Sequence, residues 1–250
     1  MASDWISYNQ LAWTEDFLAD PEDYEQEVAH FADLVRQYAA PPVKTLLHFG
    51  CGAGGQDYFL KRHFSVTGVD LSLGMLDKAR AKNPEIDYIE GDMRTIRLDR
   101  QFDAVVIPDS IDYIATMGGL QQVIQTAALH LRTGGVLLVV CSTAEQFRNN
   151  NFVYTGEKDD VHVTLFENNY ANPYAPQTHD ITLFYLVRRH GALETYSEHI
   201  VAGLFPQASW EAVFTEAGLT VYSQDLFGSY DQYLFDDGEY TQTIFIGRKH

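Results

Sequence analysis

Residues 45–60, TLLHFGCGAGGQDYFL, join a short apolar run to an amphipathic segment through a cluster of glycines. Gly50, Gly52 and Gly55 fit the spacing G-x-G-x-x-G, and Asp70 closes the next apolar run, VTGVD, at the interval of about 20 residues that a nucleotide site requires. The pattern predicts a strand, a tight turn whose backbone can approach a ligand closely, and a helix; the acid ending the second strand is then placed to reach a ribose. A nicotinamide dinucleotide and other adenosine-bearing cofactors satisfy these features equally.

Working outward, strand and helix alternate from 43 to 143. VKTLLHF, VTGVDLS, IDYIEGDM, FDAVVIPDS and VLLVVCST are apolar enough to be buried on both faces. Between them GGQDYFLKRHF, SLGMLDKARAKN, which Ser72 can cap, and LQQVIQTAALHLRTGG, closed by its glycine pair, have helical character. This rhythm predicts a parallel, doubly wound sheet. Upstream, 23–38 has helical spacing and APP stops it. Downstream of Ser142, VHVTLFENNY, HDITLFYLVRR and LETYSEHIVAGLF alternate like half-exposed strands, which predicts an antiparallel insertion of about three strands. SWEAVFTEAGL restores a helix ended by Gly218, and TVYSQDL with YTQTIFIGRK makes a closing pair of strands. The expected organisation is an N-terminal helical lid (1–42), a nucleotide-type core (43–144 and 205–250) and the insertion (145–204) over the substrate site.

The bulk properties exclude whole classes. In 250 residues there are 17 basic and 35 acidic side chains, a formal charge of −18, which opposes nucleic acid or an anionic membrane surface as partner. The two cysteines, Cys51 and Cys141, provide neither a disulfide framework nor a paired-cysteine zinc site. His162, His179 and His199 lack metal-ligand spacing, so no metal is expected. The start of the chain has no secretory pattern and no apolar run is long enough to span a bilayer, so the expected location is the cytoplasm.

The third strand ends in GDM, where Asp92 can accept from an adenine amino group and Met93 can back the ring. The fourth leads to Asp109, Ser110, Asp112 and Tyr113, polar groups where a substrate would lie. The ordered set LLHFGCGAG, GVDLSLGML, IEGDMRTIRLDRQFDAVV and LRTGGVLLV resembles class I S-adenosylmethionine-dependent methyltransferases. With YNQLAWTEDFL, DYEQEVAHFADLV and EHIVAGLFPQASWEAVFTEAGL, the resemblance extends over nearly the whole chain to the N,N-dimethyltransferases of nucleotide-linked amino sugars. It implies a mostly parallel, seven-stranded Rossmann-like α/β sheet with the antiparallel insertion after the fifth strand. It implies S-adenosylmethionine as cofactor and a homodimer formed through the insertion.

Carried onto these positions, the resemblance implies that Gly50, Cys51, Gly52 and Ala53 approach the methionine portion and that Asp70 binds the ribose. Leu71, Met75, Asp92, Met93 and Ile107 would surround ribose and base, Tyr24 would close over the cofactor, and His48 stands where the first motif usually has an acid. Trp13 and Tyr113 also depart from the family, which has a lid tyrosine and, in some members, a catalytic histidine there. Methyl transfer from a sulfonium needs an aligned lone pair, and an amine acceptor must lose its proton. Tyr113, Asp112 and Asp109 are the candidates for that chemistry, although an acid at 109 or 112 equally serves as a helix cap and Tyr113 equally serves as packing. Acids there favour an amine as acceptor. The expected function is methyl transfer to nitrogen of a small amine or amino sugar; O-methylation of a small metabolite, nicotinamide-dependent oxidoreduction and cofactor binding without catalysis are the alternatives.

Overall fold

The strand β1 (Thr45–Phe49) is five residues long and four of them are buried, which suits only the middle of a sheet. In the computed structural model, which describes residues 5–18, 23–235 and 239–250, β1 lies between β2 (Ser65–Asp70) and β4 (Phe102–Pro108), parallel to both. β3 (Asp87–Glu90) adds beyond β2, while β5 (Leu131–Cys141), β11 (Thr241–Lys249) and β10 (Leu219–Phe227) add beyond β4. The order is β10-β11-β5-β4-β1-β2-β3, and β11 runs antiparallel to both its neighbours. The strand order reverses between β1 and β4, and the crevice for a ligand opens there.

Period-two alternation divides the buried strands between two cores. Leu46, Val106 and Leu138 face α2 (Asp23–Tyr38), α3 (Gly55–Leu60) and α4 (Leu73–Lys82), where Phe31, Leu60 and Leu76 meet them. Leu47, Phe49 and Val139 face α5 (Met117–His130) and α6 (Gln207–Glu216), where Val123, Trp210 and Phe214 fill the other side. As the sequence predicts, Ser72 caps α4, its hydroxyl accepting from the Met75 N–H at 3.2 Å.

Two expectations need correction. The insertion has four strands, not three: β6 (Asn150–Lys158), β7 (Val161–Tyr170), β8 (Thr178–Arg189) and β9 (Ala192–Gly203), antiparallel in that order. β6 escapes a reading of alternation because it is polar and contains Gly156, where a Cβ would stand 1.9 Å from the Phe17 carbonyl oxygen. The close approach seats α1 (Glu15–Leu18) against the insertion. The second correction concerns Gly134 and Gly135. α5 stops at His130 and β5 begins at once; Phe102 pairs with Leu131 and Ala104 with Val136, so residues 132–135 bulge from the ladder. Gly134 has φ +76°, and a Cβ on it would lie 2.7 Å from that of Ala40. The pair packs a bulge and does not close a helix.

Trp210 is 1% exposed, stacked on Phe245 at 5.6 Å. Trp210→Ala is expected to cost about 3–5 kcal/mol, lowering Tm by roughly 10 °C in a chain of this length. A thermal melt with unchanged Tm would exclude α6 from the cooperative core.

Candidate active site

At the carboxyl ends of β1, β2 and β4 lies a cavity of about 730 Å³. Its floor is the glycine loop, its near wall Asp70 to Met75 and Gly91 to Arg94, and its roof the inner face of the insertion with residues of the N-terminal segment. That segment is tied on both sides. The Ser72 hydroxyl donates to the Tyr8 carbonyl at 2.6 Å, and the N–H groups of Ile6 and Ser7 donate to the Glu198 carboxylate on β9 at 2.7 and 3.1 Å.

The loop turns through left-handed conformations at Gly50 (φ +69°) and Gly52 (φ +52°). A Cβ at Gly50 would strike the Ser110 hydroxyl at 2.1 Å, whereas one at Gly52 would enter open space. The Asp70 carboxylate accepts from the Gly52 N–H and the Ser72 N–H, both at 2.8 Å. Burial nonetheless raises its pKa, outweighing those bonds. Tyr24, from α2, lies over Gly55, within 2.7 Å of a Cβ placed there. Asp92 is gripped by Arg94 through its Nε and terminal nitrogens, which holds its carboxyl below the usual range. Burial pushes the Cys51 thiol well up, so it is an uncharged filler of the loop.

Of the residues singled out from sequence, Tyr24, Gly50, Cys51, Gly52, Ala53, Asp70, Leu71, Met75, Asp92 and Met93 line the cavity, as do Asp109, Asp112 and Tyr113. His48 and Ile107 do not. Ile107 is fully buried among the α5-side residues. His48 is 1% exposed, with Nδ1 2.7 Å from Asp57 on α3. Asp57 also accepts from the Tyr88 hydroxyl at 2.9 Å, and Asn83 ties Tyr88 to the Gly54 carbonyl. This buried chain braces the loop from beneath, so His48 acts behind the wall.

Beside the loop, against Gly50, Asp109 begins a 3-10 turn (Ser110–Tyr113) with φ +58°, a strained backbone for a residue with a Cβ. It makes no side-chain cap: its two oxygens accept from the Tyr230 hydroxyl at 2.8 Å and the Gln242 amide at 2.6 Å. Asp112 accepts from the Ser142 N–H at 3.1 Å. Glu167, on β7, accepts from the Asn169 amide at 2.8 Å. Burial raises the pKa of all three acids, and for Asp112 and Glu167 the charge of Asp109 adds to it. Tyr113 and Tyr8 share a hydroxyl–hydroxyl bond. Burial raises Tyr113 well beyond its usual range.

Glu167, Tyr8, Tyr230, Tyr240 and Gln242 were not picked out from sequence, yet they line this end. Glu167 was legible in part: with Val163, Leu165 and Asn169 it occupies the inward register of β7. Tyr8 opens the stretch YNQLAWTEDFL, in which Trp13 is the residue singled out; Tyr230, Tyr240 and Gln242 come from the connection between β10 and β11 and from the start of β11. The same alternation sorts the insertion's strand aromatics, since Tyr154 and Tyr185 face the cavity while Phe166, Tyr170 and Phe184 are exposed; Tyr174, in the loop after β7, is exposed as well. Trp13 lies under the Arg189 guanidinium, 4.2 Å from its ring centroid, whereas Tyr8 of the same N-terminal segment lines the cavity. His179 lines the cavity; His162 and His199 do not, and His199 pairs with Asp180.

A family profile described as "Methyltransferase domain" matches residues 46–135. A dTDP-3-amino-3,4,6-trideoxy-alpha-D-glucopyranose N,N-dimethyltransferase of Streptomyces venezuelae is 31% identical over 210 residues, 82% of this chain and 87% of that protein. A dTDP-3-amino-3,6-dideoxy-alpha-D-glucopyranose N,N-dimethyltransferase of Streptomyces fradiae is 31% identical over 204 residues, 80% of this chain and 79% of its own length. The crystal structure of Streptomyces venezuelae DesVI superposes with a TM-score of 0.77 at 29% identity, covering 91% of this chain and 92% of that one. The chain belongs to the amino-sugar N,N-dimethyltransferase family of S-adenosylmethionine-dependent methyltransferases.

The methyltransferase assignment removes the oxidoreductase and non-catalytic alternatives and makes S-adenosylmethionine the cofactor. The residues present fit it: a loop with room above Gly52 and a neighbouring carboxylate with lone pairs left over suit an adenosine bearing a polar tail. Among the described residues no helix is long and apolar enough to cross a membrane. Asp70→Ala is expected to weaken S-adenosylhomocysteine binding to the methyltransferase about tenfold or more, since it loses a charged acceptor and the anchor of the Gly52 N–H. Calorimetry with unchanged affinity would remove Asp70 from the cofactor site.

Proposed function

We propose that this methyltransferase methylates nitrogen of a small-molecule amine or amino sugar, with Asp112 as the group that takes the amine's proton. The observation that carries the reading is the Asp112 carboxylate itself: it faces the cavity, and its hydrogen-bond donors come from one residue, Ser142, through its backbone N–H and its side chain, which leaves acceptor capacity unspent. Asp109 is already engaged by Tyr230 and Gln242, so it orients the turn.

S-adenosylmethionine supplies an electrophilic methyl on a sulfonium that departs as a neutral thioether. Gly50, Gly52 and Ala53 would receive its methionine portion, Asp70 its ribose hydroxyls, and Leu71 and Met75 its apolar edge. Asp92 and Met93 would flank adenine, with Asp92 using the lone pairs that Arg94 leaves, and Tyr24 would cover the cofactor from α2. On the acceptor side, an ammonium N–H passes its proton to Asp112. The amine nitrogen, its lone pair freed, would then be held by this wall in line with the methyl group that the bound cofactor would supply. A carboxyl whose pKa burial has raised is a better match for an amine than an exposed one. Tyr113, bonded to Tyr8, fixes the lid against the acceptor.

The same reading makes the protein a cytoplasmic enzyme acting as a homodimer through the outer face of the insertion, where Phe166 and Phe184 pair across β7 and β8 and are 40% and 43% exposed. Light scattering at micromolar concentration tests that arrangement.

Asp112→Asn is expected to lower kcat on an amine about a hundredfold, as loss of a general base does, with S-adenosylhomocysteine affinity nearly unchanged; equal losses in both would count against the role. The substitution also predicts a gain in stability. A carboxyl whose pKa is raised on folding binds more protons folded than unfolded, so its stability contribution is present at low pH and lost as pH rises from about 4 through the raised value. The variant should therefore melt higher than the parent at pH 7 and match it below about pH 4. Parallel melts across pH check this, and an equal difference at all pH values would refute it.

A further inference from the structure

The cavity is large enough to hold an acceptor beside the cofactor, but its charges are unevenly distributed. Of the chain's 17 Lys and Arg residues, Lys82 and Arg94 line it. Both already face an acid: Lys82, the last residue of α4, acts on Glu15 of α1, whose pKa burial raises and this charge lowers, and Arg94 is paired with Asp92. Residues outside the description, 1–4, 19–22 and 236–238, contain no Lys, Arg or His. The acceptor end has His179, which burial lowers to a pKa of about 4, leaving a neutral imidazole at physiological pH. Arg148, close by in sequence, is spent on the carbonyls of residues 145–147, and Arg189 sits over Trp13. Neither lines the cavity.

Against this stand Asp109, Asp112 and Glu167, with tyrosine rings between them. A nucleoside diphosphate entering here would bring its negative charges, desolvated, towards three carboxylates with no cation to receive them. An ammonium would find the reverse: carboxylates with acceptor capacity and ring faces that attract a cation. We infer that the acceptor is a small organic cation carrying no phosphate, a free amine or free amino sugar, whose ammonium groups are received by Asp112 and Glu167. The inference rests on the N-methylation reading and narrows it: the two relatives above are named for dTDP-linked sugars, and this chain's acceptor end lacks the charge for such a ligand.

The test uses the full chain saturated with S-adenosylhomocysteine. Glucosamine, tyramine and spermidine are titrated calorimetrically as ammonium probes, and dTDP as the nucleotide probe. At least one ammonium probe is expected to bind, to lose about tenfold or more in affinity in Glu167→Gln, and to leave S-adenosylhomocysteine affinity unchanged, which also reports that the variant is folded. dTDP is expected not to bind. Micromolar binding of dTDP, failure of all three ammonium probes, or ammonium affinity untouched by the substitution would overturn the inference. Labelled methyl transfer separates this from the wider reading. Preference for a dTDP-linked amino sugar over its free form sinks the inference and leaves N-methylation standing. Label recovered on a probe's oxygen sinks N-methylation and leaves the preference for a cation.

Discussion

The Asp70 carboxylate, held between the N–H groups of Gly52 and Ser72, is the contact on which the site depends. Gly50 and Gly52 can turn left-handed because they lack a Cβ, but that freedom also leaves the loop without a reason to hold one shape. Asp70 supplies the reason from the end of the neighbouring strand, together with the Val69 carbonyl, which accepts from the Gly50 and Cys51 N–H groups at 2.7 and 3.1 Å. From beneath, the chain of His48, Asp57, Tyr88 and Asn83 ends on the Gly54 carbonyl.

The acceptor wall is arranged at a cost to stability. Three acids meet at the acceptor end of the cavity, their pKa values raised by burial, and Asp109 holds a backbone conformation that disfavours a side chain. Uncompensated burial of this kind persists where the surrounding structure over-determines it. Here Tyr230 and Gln242 fasten Asp109, and Ser142 fastens Asp112. The segment carrying Tyr8 is itself bonded to Ser72 of the core and to Glu198 of the insertion. Wall, roof and floor therefore share one hydrogen-bonded frame, and the polar groups that serve the acceptor are those that the frame leaves with capacity.

Local signals carried much of this into the sequence. Burial on both faces of short strands, helical spacing over α2, the Ser72 cap and the glycine spacing all arise within a few residues of the chain, so they could be recognised there. Asp70, Asp92, Asp109 and Asp112 follow because each sits at the end of a strand that ends at the crevice. Gly134 and Gly135 misled for a physical reason: a glycine pair after a helix resembles a cap, and the distinction lies in Ala40, almost a hundred residues away in the chain. The resemblance implies a cofactor role for His48 and Ile107, yet the pleat turns His48 towards Asp57 and Ile107 towards the α5 side.

By itself, then, the sequence determined the sheet, the register of its buried faces, the cofactor end of the site and the net negative charge, because these follow from local pattern and composition. The tertiary structure decided which acids meet at the acceptor end. Asp109, Asp112, Glu167 and Gln242 come from a turn, an inserted strand and the last strand of the sheet, and no periodicity links them. Their separation in sequence and proximity in space set the cavity's charge, because charges interact through distance and burial and not through order along the chain.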